Sequence, residues 1–140
     1  MMVSTKGRYA LRVMMDLAKQ QEENPDGFVS LKEVADRQNI SMKYLEAIVA
    51  MLNKAGMVVS KRGKEGGYRL ERSAGAYSVQ EILKLTEGSL APVACMEETG
   101  CTACDQSSLC QTLPLWQKLD GIIEAYLRSV TLEDLVKGEI

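Results

Sequence analysis

All four cysteines of this 140-residue chain, Cys95, Cys101, Cys104 and Cys110, fall within 16 residues in the spacing C-x5-C-x2-C-x5-C, and the chain has no histidine. Imidazole ligation is therefore excluded, and whatever chemistry the segment performs is thiolate chemistry. A zinc ribbon carries two C-x2-C knuckles and this stretch has one, whereas iron–sulfur ligation accepts uneven thiolate spacing. The expectation is an iron–sulfur cluster, of 2Fe–2S or 4Fe–4S type, held by Cys95, Cys101, Cys110 and Cys104, with Cys104 as the unsettled fourth ligand. A thiol–disulfide switch, a zinc site and inert thiols are the other readings of the same residues. A thioredoxin-like use of Cys101 and Cys104 lacks the βαβ setting it needs.

The elements on either side must position these thiols. Downstream, after Pro114, a long helix carries Trp116, Leu119, Ile123, Tyr126 and Val130 at spacings of 3, 4, 3 and 4, with Leu115, Ile122 and Leu127 widening the stripe. That is too apolar for one buried face, so a seam pairing two copies of the chain is expected, a homodimer. A helix folded wholly onto its own domain is the plainer alternative. Thr131 then caps a short terminal helix with Leu132, Leu135 and Val136. Upstream, Leu90 to Ala94 reads as extended, and Ser78 caps a short helix carrying Val79, Ile82 and Leu83 that Gly88 closes.

Further upstream lies a reading head. Ser4 or Thr5 caps a first helix whose stripe is Leu11, Met14, Met15 and Ala18 and whose end is expected near Gln20. Residues 21–28, with Asn24-Pro25-Asp26-Gly27, form a turn-rich connection. Ser30 caps a second helix through Leu31, Val34 and Ala35, which stops near Asn39, and Ile40 plugs the core at the turn. Ser41 caps a third helix with Leu45, Ile48, Val49 and Leu52 at i, i+3, i+4 and i+7. Residues 57–61 and 68–70 read as two strands around the basic turn at 62–67. Helix, turn, helix and basic hairpin make a winged helix-turn-helix, so the fold class is mainly α with a small β-wing and a long C-terminal dimerisation helix.

The second helix of such a pair enters the major groove and uses its N-terminal residues on base edges. That nominates Ser41, Met42, Lys43, Tyr44, Glu46 and Ala47. Glu46 is either a filter that accepts from a cytosine amino group or a surface acid bonded to a nearby lysine. In the wing, Lys61, Arg62 and Lys64 supply charge, while Gly63 and Gly66 let the backbone approach phosphate or minor groove. The expected division is 1–88 for the DNA-binding domain, 89–111 for the cysteine-rich sensor loop, and 112–140 for the dimerisation helix and terminal short helix.

Charge is consistent with this division. Residues 1–72 hold 13 Lys and Arg against 9 Asp and Glu, residues 73–140 hold 4 against 10, and within 41–72 the ratio is 7 to 3. The overall charge of −2 conceals a basic head and an acidic tail. With 46% hydrophobic residues the chain can bury one compact core. No run of about 18 apolar residues could span a membrane and the N-terminus lacks a signal-peptide core, so a cytoplasmic location is expected. With no histidine and no nucleotide-binding glycine motif before a helix, an enzyme is not expected.

The opening Ser4-Thr5-Lys6-Gly7-Arg8-Tyr9-Ala10-Leu11-Arg12, then Tyr44-Leu45-Glu46, Arg62-Gly63 with Gly66-Gly67-Tyr68, and finally Thr131-Leu132-Glu133-Asp134-Leu135 resemble the Rrf-two family over nearly the whole chain. The resemblance implies a dimeric winged-helix transcription factor, with the cysteine loop set between reading head and dimerisation helix. Cys95, Cys101 and Cys110, with Trp116 six residues on, match the three cysteines of cluster-binding members. Leu113 stands where iron–sulfur regulators of the family carry a histidine ligand, and Arg8 where its nitric-oxide sensor takes an aspartate from the partner. Residues 87–93, Glu-Gly-Ser-Leu-Ala-Pro-Val, are similar to a cysteine-metabolism branch that represses without a cluster by answering to a regulatory protein partner. The resemblance thus implies a probe of promoter DNA, with redox, iron–sulfur or nitric-oxide status as the signal in one branch and a partner protein or thiol switch in the other.

Overall fold

The computed structural model describes residues 2–97 and 109–140. It contains α1 (Thr5–Glu23), α2 (Leu31–Gln38), α3 (Met42–Lys54), β1 (Val58–Lys61), β2 (Gly67–Leu70), α4 (Val79–Glu87), α5 (Leu113–Ser129) and α6 (Leu132–Lys137). Short 3-10 turns occupy Ala74–Ala76 and Ala94–Met96.

Local chemistry explains the helix starts. Ser4, Ser41 and Ser78 each accept a hydrogen bond from a backbone N–H of the first turn. Ser30 with Glu33 and Thr131 with Asp134 form full capping boxes. α5 is the exception, because Thr112 makes no side-chain cap and the helix instead carries Pro114 in its first turn. Asn39 adopts the left-handed conformation (φ 53°) between α2 and α3, which turns Ile40 into the core at 5% exposure.

α1 is the central post of the head, packed by α2, α3, α4, α6 and β2. Its buried face is Ala10, Val13, Met14 and Leu17, whereas the expected stripe members Leu11 and Met15 are only half-buried. A helix covered on several sides buries more than one stripe, and even Asp16 is taken inside. α1 also runs to Glu23, one turn beyond the expected end. Pro25, rather than the polar run before it, is what stops the helix. Gln21 in that extra turn accepts a hydrogen bond from Leu70 N (3.0 Å) and so satisfies the edge of β2.

The wing pairs β1 and β2 antiparallel, from Val58 opposite Leu70 to Lys61 opposite Gly67. On the other side of β2, Val29 exchanges backbone hydrogen bonds with Tyr68 at 2.9 and 2.8 Å. Gly67 makes this possible: a Cβ there would lie 2.2 Å from Val29 O. Beneath the wing, Tyr77 is fully buried and its hydroxyl donates to Met57 O (2.7 Å) while accepting from Arg72 N (2.9 Å).

The C-terminal segment is tied to the head at two points. α6, expected with the dimerisation helix in 112–140, packs on the head: Leu132 is fully buried in its core and Leu132 N donates to Tyr77 O (2.9 Å). Val130 is not on an outward seam. It caps the end of α5 at 8% exposure and packs with Val79, Leu83 and Leu90, while its carbonyl accepts from Val79 N.

Candidate nucleic-acid interface and cysteine segment

Leu45, Ile48, Val49 and Leu52 anchor α3 in the core, which leaves its opposite face to solvent. Ser41, Met42, Lys43, Glu46 and Ala47 are all exposed. Ser41 is partly committed, since its Oγ accepts from Tyr44 N at 3.3 Å. Among the described residues Lys43 and Glu46 make no ion pair, so the reading of Glu46 as an acid bonded to a nearby lysine finds no support.

Tyr44 is held from behind. Its ring meets Tyr9 of α1 edge to face with centroids 5.6 Å apart, and the Arg12 guanidinium lies 5.0 Å over the Tyr9 ring. Arg12 in turn donates to the side chain and main-chain carbonyl of Gln38. Asp16, at 3% exposure, receives both forks of Arg37 (3.0 and 2.8 Å) and Gln38 Nε2 (2.9 Å). That hydrogen bonding raises the Arg37 pKa further above its ordinary value, against a smaller opposing effect of burial. α2 is therefore pinned to α1 by charge as well as by packing. In the sequence, Tyr9 and Arg12 stood out only as part of the opening family motif, and Asp16 not at all. An acid lying among the buried positions Ala10, Val13 and Leu17 of one helix was the available signal.

In the wing, Lys61, Arg62, Gly63 and Lys64 are exposed and their three cations make no ion pair among the described residues. The turn is closed by Gly66 N donating to Gly63 O (3.0 Å), with Gly63 at φ 109°. Gly66 is half-buried, and a Cβ on it would meet Lys61 O at 2.2 Å.

Cys95 sits half-buried in the turn Ala94–Met96, and Cys110 lies three residues before α5; both are free thiols. Cys110 Sγ is 3.2 Å from Thr112 Oγ1, and this hydrogen bond is the main cause holding its thiol below the ordinary value. Cys101 and Cys104 lie outside the described residues.

α5 buries no residue completely, and its apolar side chains divide between two faces. Ile123 and Leu127 pack on the cluster of Val79, Leu83, Leu90 and Val130. Trp116 is half-buried. Glu124 fastens the same side to α4 through Lys84 (3.0 Å) and Gln80, with Arg128 at 3.8 Å. On the other face Leu115, Ile122 and Tyr126 are each 57% exposed and Leu119 is 36% exposed. Of the expected seam, Leu119 and Tyr126 face outward while Ile123 and Val130 turn inward. At 3.6 residues per turn, 115, 119, 122 and 126 share one face, and 123, 127 and 130 share another.

The Rrf2 family model, described as an iron-dependent transcriptional regulator, matches residues 3–138. The HTH-type transcriptional regulator IscR of Xenorhabdus nematophila is 39% identical over 99% of this chain and 81% of its own length. Among solved structures, CymR, the global cysteine regulator of B. subtilis, is 36% identical with a TM-score of 0.80, covering 100% of this chain and 99% of CymR. T. potens IscR is 40% identical with a TM-score of 0.76, over 100% of this chain and 89% of that one. No helix among the described residues is long and apolar enough to cross a membrane. With its winged head, long C-terminal helix and near-complete match, the chain belongs to the Rrf2, or Rrf-two, family of transcriptional regulators and is not an enzyme.

Proposed function

We propose that this chain acts as a cytoplasmic homodimer that binds double-stranded promoter DNA as a repressor, with an affinity set by the state of its cysteine segment. The observation that carries the DNA reading is that Lys43, Lys61, Arg62 and Lys64 stand exposed with no ion pair among the described residues. Unneutralised cations at a recognition helix and wing are what phosphate contact requires. Ser41, Lys43, Tyr44 and Glu46 would face base edges and adjoining backbone, while Lys61 to Lys64 and Gly66 would grip flanking phosphate or minor groove. The outward stripe of Leu115, Leu119, Ile122 and Tyr126 is the face that a second copy would cover, so that two α3 helices reach successive major-groove faces.

The donor set fits an iron–sulfur cluster in its chemistry. Cys95 and Cys110 are free, Thr112 holds the Cys110 thiol below its ordinary value, and Cys101 and Cys104 complete four sulfur ligands in a chain without histidine. Bound there, a cluster would supply sensitivity to oxygen, iron supply or nitric oxide. The segment enters from α4 and leaves into α5, and Glu124 ties those two helices, so a change in the segment bears on how α5 sits against the head.

A cluster-free regulator controlled by a thiol switch or a partner protein is the second reading. It is favoured by the TM-score of 0.80 to the cysteine regulator CymR and by Leu113 standing in place of a histidine. The test is a visible spectrum with iron and sulfide assays on protein purified without oxygen, for the wild type and Cys104→Ala. Bands between about 320 and 450 nm from thiolate-to-iron charge transfer are expected for the wild type and not for the variant. Two colourless samples would favour the second reading and leave DNA binding untouched.

A further inference from the structure

Phe28 plays no part in the family resemblance, yet two cations meet on it. Its half-buried ring, in the link between α1 and α2, has Lys61 Nζ 5.6 Å and Arg69 Cζ 5.4 Å from its centroid. Lys61 ends β1 and Arg69 lies in β2, so the ring joins three separate segments. Val29, next in sequence, is hydrogen-bonded to Tyr68, which fixes the backbone of Phe28 against the wing.

The two cations differ. Arg69 faces inward: its Nη1 donates to Pro25 O (3.4 Å), and its Nε is buried with no hydrogen-bond partner among the described residues. Its guanidinium rests on the ring. Lys61 is exposed and makes no ion pair among the described residues. A carboxylate in place of Phe28 would order Lys61 and cancel its charge. An aromatic face orders it and leaves the whole charge available.

We infer that Phe28 is a positioning residue for DNA binding, whose ring holds Lys61 at the root of the wing as a pre-ordered, unneutralised phosphate contact. The inference rests on the DNA-binding reading above. Part of the rotamer freedom that a free lysine loses on meeting a phosphate is already lost before binding. The effect belongs to backbone affinity and not to base choice, because a phosphate contact carries no sequence information.

The experiment is a salt titration of binding, read by fluorescence anisotropy, with a labelled random-sequence duplex of about 30 base pairs, long enough for two half-sites. The proteins are the wild type, Phe28→Leu, Phe28→Tyr, Lys61→Ala and the double variant Phe28→Leu/Lys61→Ala. Phe28→Leu is expected to weaken binding about two- to fivefold, and Phe28→Tyr to restore it. Lys61→Ala should lower the slope of log affinity against log salt by about one. In that background Phe28→Leu should add no further loss. An equal loss from Phe28→Leu in both backgrounds would make Phe28 merely structural and overturn the inference. So would a Lys61→Ala slope equal to that of the wild type. A wild type with no salt-dependent binding would instead overturn the DNA reading itself, a separate and distinguishable failure.

Discussion

α3 and α5 are both amphipathic helices, of 13 and 17 residues, but they treat their apolar side chains in opposite ways. α3 buries Leu45, Ile48, Val49 and Leu52 to 1% exposure or less and shows solvent a mixed face with Lys43, Tyr44 and Glu46. α5 buries none of its residues completely and shows solvent Leu115, Leu119, Ile122 and Tyr126. A helix anchored by its own core is ready to meet a polar ligand such as DNA. One that leaves a large apolar stripe in water is stabilised by covering it. The difference separates what the monomer supplies alone from what a second copy would complete.

The strongest way to break the contrast is to damage each helix on its informative face. Ile48→Ala in α3 should destabilise the head by about 2–5 kcal/mol in denaturant unfolding. Ile122→Glu in α5 should leave that core intact, convert the dimer to a monomer in sedimentation velocity, and weaken operator binding about 100-fold through lost bivalency. A monomeric wild type, or an Ile122→Glu variant that remains dimeric, would contradict the role assigned to α5.

A smaller effect is expected at the pin between α1 and α2. Asp16→Ala removes the acceptor of Arg37 and Gln38, but Arg37 is 36% exposed and regains water. The expected cost is about 1–3 kcal/mol, accompanied by weaker DNA binding because α2 and α3 lose their fixed angle to the post. Stability lost without any change in affinity would confine Asp16 to the core.

The smallest effect concerns acid. Asp134 accepts from Thr131 N, and this hydrogen bond is the first cause holding its carboxyl below the ordinary value, so protonation weakens the cap of α6. Because the folded value is depressed, the stabilisation is present above the ordinary carboxylate range and disappears as pH falls through the folded value. Amide shifts of α6 followed by NMR should show that low transition in the wild type and lose it in Asp134→Asn.

Local chemistry was legible in the sequence and distant chemistry was not. Ser30, Ser41, Ser78 and Thr131 each announce a helix start because a cap acts on the next three residues. The wing was legible for the same reason, as a basic glycine turn between two short apolar runs. The inward turn of Val130 was hidden, since a stripe at spacings of 3 and 4 does not say which of two apolar faces the rest of the chain covers. The burial of Asp16, the Val29–Tyr68 pairing and the Tyr9–Tyr44 contact were hidden too, because their partners lie 21 to 39 residues away in sequence. At the cysteine segment, residue types and spacing gave the chemistry and the candidate ligands, but spacing alone does not choose between a bound cluster and a thiol switch.

The central claim is that the cysteine segment governs DNA affinity. The most direct measurement selects duplexes from a random pool with protein purified without oxygen, then compares affinity for the selected duplex before and after exposure to air and an iron chelator. The account predicts a change of about tenfold or more, the size of an ordinary coupling between sites, and its loss when Cys95, Cys101 and Cys110 are all replaced by alanine. An affinity that stays constant in the wild type, equal to that of the triple variant under every condition, would contradict it.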